Sequence, residues 1–335
     1  MPFTKPSLHD CRAPLQSTTL QATFLPTPRL KRACSSYYDA GLQDLPEESE
    51  THVLPIKSYI AQRIPPGIKP TARRIYHLPA DVLNSLLGRR DPLTPPKGRV
   101  FFGGGDFNRV GEEYFQYFVE LGSLHPHERV LDVGCGIGRM AVPLTLYLDD
   151  RGSYEGIDVF PKGIAWCQEN ITPKYPNFRF QVADIKNKEY NPGGRFAASE
   201  YEFPYADASF DFVLLTSVFT HLLPDEVENY LSEIERVLAP GGRCFASFFL
   251  LNDESLALLR SGRSTIDFRY DFGGYRAKSK ETPEAAIAYP EDYIRSRYAD
   301  RGLVITEPIH YGSWPGRRDF LSYQDVVVAV KREAV

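Results

Sequence analysis

Residues 130–140 read VLDVGCGIGRM. An apolar run is followed by glycine at every second position, Gly134, Gly136 and Gly138, and an acid, Asp132, stands two residues ahead of the first. A strand that leads through a glycine-rich turn into a helix is an arrangement that binds nucleotides, with bare backbone against the ligand. A dinucleotide site would carry G-x-G-x-x-G, whereas the spacing here is G-x-G-x-G. A carboxylate at the mouth of a phosphate cradle repels a pyrophosphate and attracts a cation. The loop and its acid therefore predict a nucleoside-like ligand that lacks phosphate and carries positive charge.

S-adenosylmethionine, with an ammonium and a sulfonium, meets those terms. Its adenosyl half needs partners at the neighbouring strand ends. Asp158, followed by Val159, ends YEGIDV (154–159) and is expected to accept hydrogen bonds from both ribose hydroxyls. Asp184 ends the run VAD, where its carboxylate can accept from the adenine amino group while the Ile185 amide donates to a ring nitrogen. Each acid alone also reads as a helix cap or turn residue. Three of them at successive strand ends, one inside a glycine loop, favour the ligand. Cys135 in the loop and Thr216 and Ser217 at the end of the next strand complete the expected cofactor site. Cys135 is read as a small residue and not as a nucleophile.

Outward from this stretch, helical and strand patterns alternate. Strands are expected at 130–134, 154–159, 178–185, 210–219, 239–251 (after a turn), 303–311 and 324–332, and helices at 79–90, 111–122, 139–148, 161–171, 224–238 and 291–302. Pro143 is expected in the first turn of its helix, or to kink it. The pattern predicts an α/β, doubly wound, mainly parallel sheet with helices on both faces, whose ligands bind at the carboxyl ends of the strands.

Taken together, VLDVGCGIGRM, IDV (157–159), ADI (183–185), FDFVLLTSVFTHL (210–222) and RVLAPGGR (236–243) resemble, in order, the motifs of the class I S-adenosylmethionine-dependent methyltransferases. The resemblance spans about 110–332. It implies a seven-stranded Rossmann-like sheet with QDVVVAV (324–330) antiparallel at the end, and a cofactor covered by the helix at 111–121. The expected organisation is an irregular N-terminal extension (1–78), a helical cap (79–122) and a methyltransferase domain (123–335).

The acceptor side is less sharply marked. His221, just past the fourth strand, is the candidate general base; a histidine that orders its loop through backbone hydrogen bonds is the alternative. Tyr190, Asn191, Arg269 and Trp314 are candidate substrate contacts, as are His310, Tyr311 and Arg276, against the reading of core, loop anchor or surface ion pair. The Asn-Pro-Pro-Tyr run of amino-group methyltransferases and the acids of magnesium-dependent ones are both missing at the fourth strand end. A metal-independent enzyme acting on an oxygen or nitrogen of a small molecule or glycan is expected. A protein or RNA acceptor docked through the extension, or a non-catalytic cofactor-binding partner protein, is the alternative.

The chain has 335 residues, 42% hydrophobic and 24% charged, with a formal charge of −4, which makes a nucleic-acid partner unlikely in this reading. Five scattered cysteines without a C-x-x-C pair argue against structural zinc or a disulfide framework, and for a reducing, cytoplasmic setting. No run approaches the length of a membrane span. Residues 1–38 hold nine Ser/Thr, five Lys/Arg and a single acid, Asp10. They read as a disordered extension or as an organellar transit peptide.

Overall fold

The computed structural model describes Tyr76, Leu78, Pro79 and residues 91–100, 105–188 and 190–332. The extension expected over 1–78, apart from Tyr76 and Leu78, and all but the first residue of the helix expected at 79–90 lie outside the described residues.

Seven strands form the central sheet: β1 (Arg129–Val133), β2 (Ser153–Asp158), β3 (Phe178–Val182), β4 (Phe210–Leu215), β5 (Leu238–Phe248), β10 (Leu303–Ile305) and β11 (Asp325–Lys331), in the order β10-β11-β5-β4-β1-β2-β3. The five strands from β5 to β3 run parallel, and β11 is antiparallel to both β5 and β10. Side chains alternate between two apolar layers, as the pleat requires. Phe212 and Leu214 of β4 face one core and Val213 and Leu215 the other. The same alternation sends Val130 into the first layer and Leu131 and Val133 into the second. Asp132 therefore falls on the face where an apolar residue would be expected.

Helices α1 (Phe107–Glu120), α2 (Ala141–Leu144) and α3 (Pro161–Asn170) cover the first face, and α4 (Pro224–Val237) and α6 (Glu291–Asp300) the second. α1 starts where the Asp106 carboxylate accepts the Arg109 N–H at 3.1 Å. α4 starts with Pro224 at its first position and the Leu223 N–H on the Glu226 carboxylate at 2.7 Å. It buries Val227, Tyr230, Leu231, Ile234 and Val237.

Four expectations change in detail. The helix expected over 139–148 is regular only over Ala141–Leu144: Pro143 has no N–H for the Arg139 carbonyl at the start, and past Leu144 the bonds tighten to three-residue turns, Leu146 N–H to Pro143 O and Tyr147 N–H to Leu144 O. The strand expected over 303–311 pairs only at Leu303–Ile305, loses its ladder around Pro308, and is bridged again at His310 with Val326. The turn expected at the start of 239–251 is drawn into β5, which begins at Leu238 with a register shift opposite Phe210 and Phe212. The last two residues of that stretch form a separate strand.

The segment between β5 and α6 is a small sheet of its own, formed by β6 (Leu250–Leu251), β7 (Tyr270–Asp271), β8 (Arg276–Ala277) and β9 (Ile287–Pro290) in the order β6-β9-β8-β7. α5 (Asp253–Arg260) is inserted there on a reciprocal cap between Asn252 and Ser255. Phe249, Leu251, Phe268 and Trp314 form its apolar centre.

Candidate cofactor site at the carboxyl edge of the sheet

The glycine loop leaves β1 and is fastened to the end of β2. The N–H groups of Gly134 and Cys135 donate to the Ile157 carbonyl at 2.8 and 3.1 Å. The Gly136 N–H donates to Asp158 Oδ2 at 2.7 Å, and Asp158 Oδ1 accepts the Phe160 N–H at 2.7 Å. Gly134 sits at φ 85°, a conformation that glycine adopts without strain. A methyl group on it would collide with Val218, just past β4, and one on Gly138 would lie 3.0 Å from Cys167 Sγ and 2.9 Å from Ile171 Cδ1. Two of the three glycines thus make room for protein neighbours, where the spacing alone suggested bare backbone kept for a ligand.

Asp132 is fully buried. Its Oδ2 accepts from the Tyr154 hydroxyl, and its Oδ1 has no partner. Burial pushes this carboxyl up to about 7; the Tyr154 bond works the other way, and the nearby charge of Asp158 adds to the rise. An unpartnered oxygen on a buried acid costs free energy unless a ligand completes it. A cationic group fits that requirement, so the residues present suit the ammonium and sulfonium of S-adenosylmethionine. Burial also raises the Asp158 carboxyl, against the lowering effect of its two backbone donors. Each of its oxygens keeps a lone pair for a ribose hydroxyl.

Asp184 has a protein partner. Its Oδ1 accepts the Arg195 N–H at 3.1 Å and its Oδ2 the Arg195 guanidinium, which holds the carboxyl below the usual range. The acid ties down the loop after β3, and with one bond on each oxygen its partly exposed carboxylate keeps lone pairs, as Asp158 does. Ile185 next to it is buried and bridged to Phe196, and Val159 packs half-buried against the core.

Thr216 lies half-buried at the end of β4. Ser217, at φ 60°, belongs to a polar cluster that sequence reading missed. Its N–H donates to Ser247 Oγ at 2.7 Å, and the hydroxyls of Ser217 and Ser247 both donate to Gln324 Oε1, at 2.9 and 2.7 Å. Ser247 and Gln324 come from β5 and from the approach to β11, so nothing in their local sequence ties them to residue 217.

The acceptor candidates do not converge. His221 is exposed and its Nδ1 donates to the Glu284 carbonyl at 2.8 Å, which leaves Nε2 as the acceptor nitrogen. Tyr190 sits edge-on to Phe160, its N–H on Asn187, and the Asn191 amide donates to the Ile185 carbonyl at 3.1 Å. Both shape the loop after β3. One candidate is corrected. Trp314 is fully buried and donates to Asp325 at 2.7 Å, so it is core and not a substrate wall. The Arg269 side chain pairs with Asp267, two residues away, on the exposed insert. Tyr311 and Arg276 are likewise held, by Glu291 and Asp271, and His310 is half-buried. Among the described residues no group of three or more His, Cys, Asp or Glu could hold a metal ion, and no helix is long and apolar enough to cross a membrane.

Residues 131–246 match the family described as a methyltransferase domain. A human tRNA N(3)-cytidine methyltransferase is 25% identical over 120 residues, 34% of this chain and 28% of its own length. A bovine eEF1A lysine and N-terminal methyltransferase is 30% identical over 161 residues, 44% of this chain and 21% of its own. The chain thus spans about a quarter of the length of these relatives. Among solved structures, a SAM-dependent methyltransferase from Methanosarcina mazei aligns with a TM-score of 0.45 and 23% identity, over 64% of this chain and 98% of that one.

Proposed function

We propose that the chain, whose residues 131–246 match the methyltransferase-domain family, is a class I S-adenosylmethionine-dependent methyltransferase and transfers a methyl group to an oxygen or nitrogen of a small molecule or glycan, without a metal ion. The observation that carries the reading is the unpartnered Oδ1 of the buried Asp132 beneath the glycine loop. Bound there, the cofactor supplies a methyl group on a cationic sulfur, open to attack by a nucleophile.

In this reading Asp132 balances the cationic end of the cofactor, and Asp158 takes the ribose while holding the loop through Gly136. With that chemistry no side chain would be needed as an acid for the leaving group. The protein's work is to align the acceptor and exclude water. The Ser217–Ser247–Gln324 cluster fixes the end of β4 beside that position. His221, with Nδ1 committed to Glu284, offers Nε2 to take a proton from the acceptor. The fourth strand end carries Thr216 and Ser217 where a magnesium-dependent enzyme needs acids.

A second reading takes protein or RNA as the acceptor, with residues 1–78 as a docking arm. The names of the two relatives, one acting on tRNA and the other on a translation factor, support it. Incubating the full chain with methyl-tritiated cofactor and, separately, a small-molecule extract, total tRNA and total protein distinguishes the two. Label in the extract alone is the expected result; label in tRNA or protein moves the assignment to the second reading.

A further inference from the structure

Tyr154, near the start of β2, lies beside Val130 in the register, and Gly156 lies beside Asp132. Tyr154 and Asp132 thus share one face of the sheet. The Tyr154 ring is fully buried, stacked on Phe178 at 5.1 Å and tilted against Phe180 at 5.5 Å. The two rings it packs against, Phe178 and Phe180, are phenylalanines, so packing alone would be met by a phenylalanine here. The hydroxyl is the difference, and it donates to Asp132 Oδ2.

We propose that Tyr154 is a positioning residue for the cofactor: its hydroxyl fixes the Asp132 carboxylate so that Oδ1 is presented to the cationic end of the ligand. The proposal rests on the cofactor reading above. The titratable groups around Asp132 are Tyr154 and Asp158 from β2, Cys135 from the loop and Cys167 from α3. Burial pushes the phenol and both thiols up, so all three stay neutral at working pH. Asp158 is the one neighbouring acid that adds charge, and it disfavours a second one. The Tyr154 bond opposes that effect. Without it, the carboxyl would hold its proton to a higher pH and would lose its orientation.

The probe is S-adenosylhomocysteine, which keeps the ammonium of the methyl donor. It is titrated calorimetrically into the full chain between pH 6 and pH 8. Wild-type affinity should fall about tenfold from pH 8 to pH 6, as protonation of Asp132 competes with the cation. In Tyr154→Phe the midpoint of that profile should move up by about one pH unit, with affinity at pH 7 several-fold lower. Asp132→Asn should bind weakly and without the pH dependence. A Tyr154→Phe profile that coincides with wild type, or a pH dependence that persists in Asp132→Asn, overturns the role given to Tyr154. Wild-type protein that binds no S-adenosylhomocysteine at any pH overturns the cofactor reading itself.

Discussion

Around Asp325 four donors converge on one buried carboxylate; around Asp132 a single hydroxyl does. Both side chains are fully buried at strand ends. Asp325 takes the N–H groups of Leu250 and Gly312 and the Trp314 indole, each at 2.7 Å, and Arg317 at 3.2 Å. It joins β11, β6 and the loop after β10 into one unit. Asp132 takes Tyr154 and leaves Oδ1 bare. Burial raises both carboxyls, Asp325 to about 6 against its four donors and Asp132 to about 7 against one. A buried acid whose partners all come from the protein holds the fold together. A buried acid with a missing partner marks where something else binds.

The comparison breaks most visibly at Asp325. Asp325→Ala should cost about 3–5 kcal/mol of stability, because it leaves the Trp314 N–H and the Leu250 and Gly312 N–H groups without their buried acceptor and takes one of two carboxylates from Arg317. Chemical denaturation measures this, and a loss below about 1 kcal/mol would mean that the network adds little. Asp132→Asn should act in the opposite direction. The Asp132 carboxyl is raised by folding, so the folded chain holds its proton more tightly than the unfolded chain does. The stability that this linkage contributes is present below the unfolded value, near 4, and is lost as pH rises through about 7. Without ligand, the asparagine variant should melt like wild type below about pH 4 and increasingly higher than wild type as pH rises to 8. A variant that melts lower at pH 8 would place Asp132 with Asp325 as a structural acid.

Much of this was legible in the sequence, and the reasons for the rest are physical. Short apolar runs set between helical patterns and turn residues located all seven strands, because that signal is local. Asp132 stood out because it interrupts an apolar run. Asp325 did not, since an acid at the head of QDVVVAV looks like a strand edge; its partners at 250, 312, 314 and 317 meet it only in three dimensions. For the same reason the sequence leaves Trp314 open between a substrate contact and the core. Tyr154 passed as an ordinary strand aromatic, and the Arg195 that occupies Asp184 lies eleven residues away across a loop. The cap at Asn252 that starts α5 was a local signal, and it was overlooked.

Smaller effects sharpen the comparison at the loop itself. Asp158→Ala should weaken cofactor binding by about 1–3 kcal/mol and loosen the glycine loop by freeing the Gly136 N–H; unchanged affinity by calorimetry would remove its ribose role. His221→Ala should lower turnover more than cofactor affinity, and turnover equal to wild type at every pH would leave it as the anchor of Glu284. Arg269→Ala, which breaks only an exposed pair, should change stability by no more than about 0.5 kcal/mol.

The central claim is that the bare oxygen of Asp132 is a ligand site and not a defect. Calorimetric titration of S-adenosylhomocysteine into wild-type and Asp132→Asn protein at pH 8 tests it most directly. The account predicts one bound equivalent for wild type and at least tenfold weaker binding for the variant, with no loss of stability in its unliganded form. Equal affinity in the two proteins would contradict it.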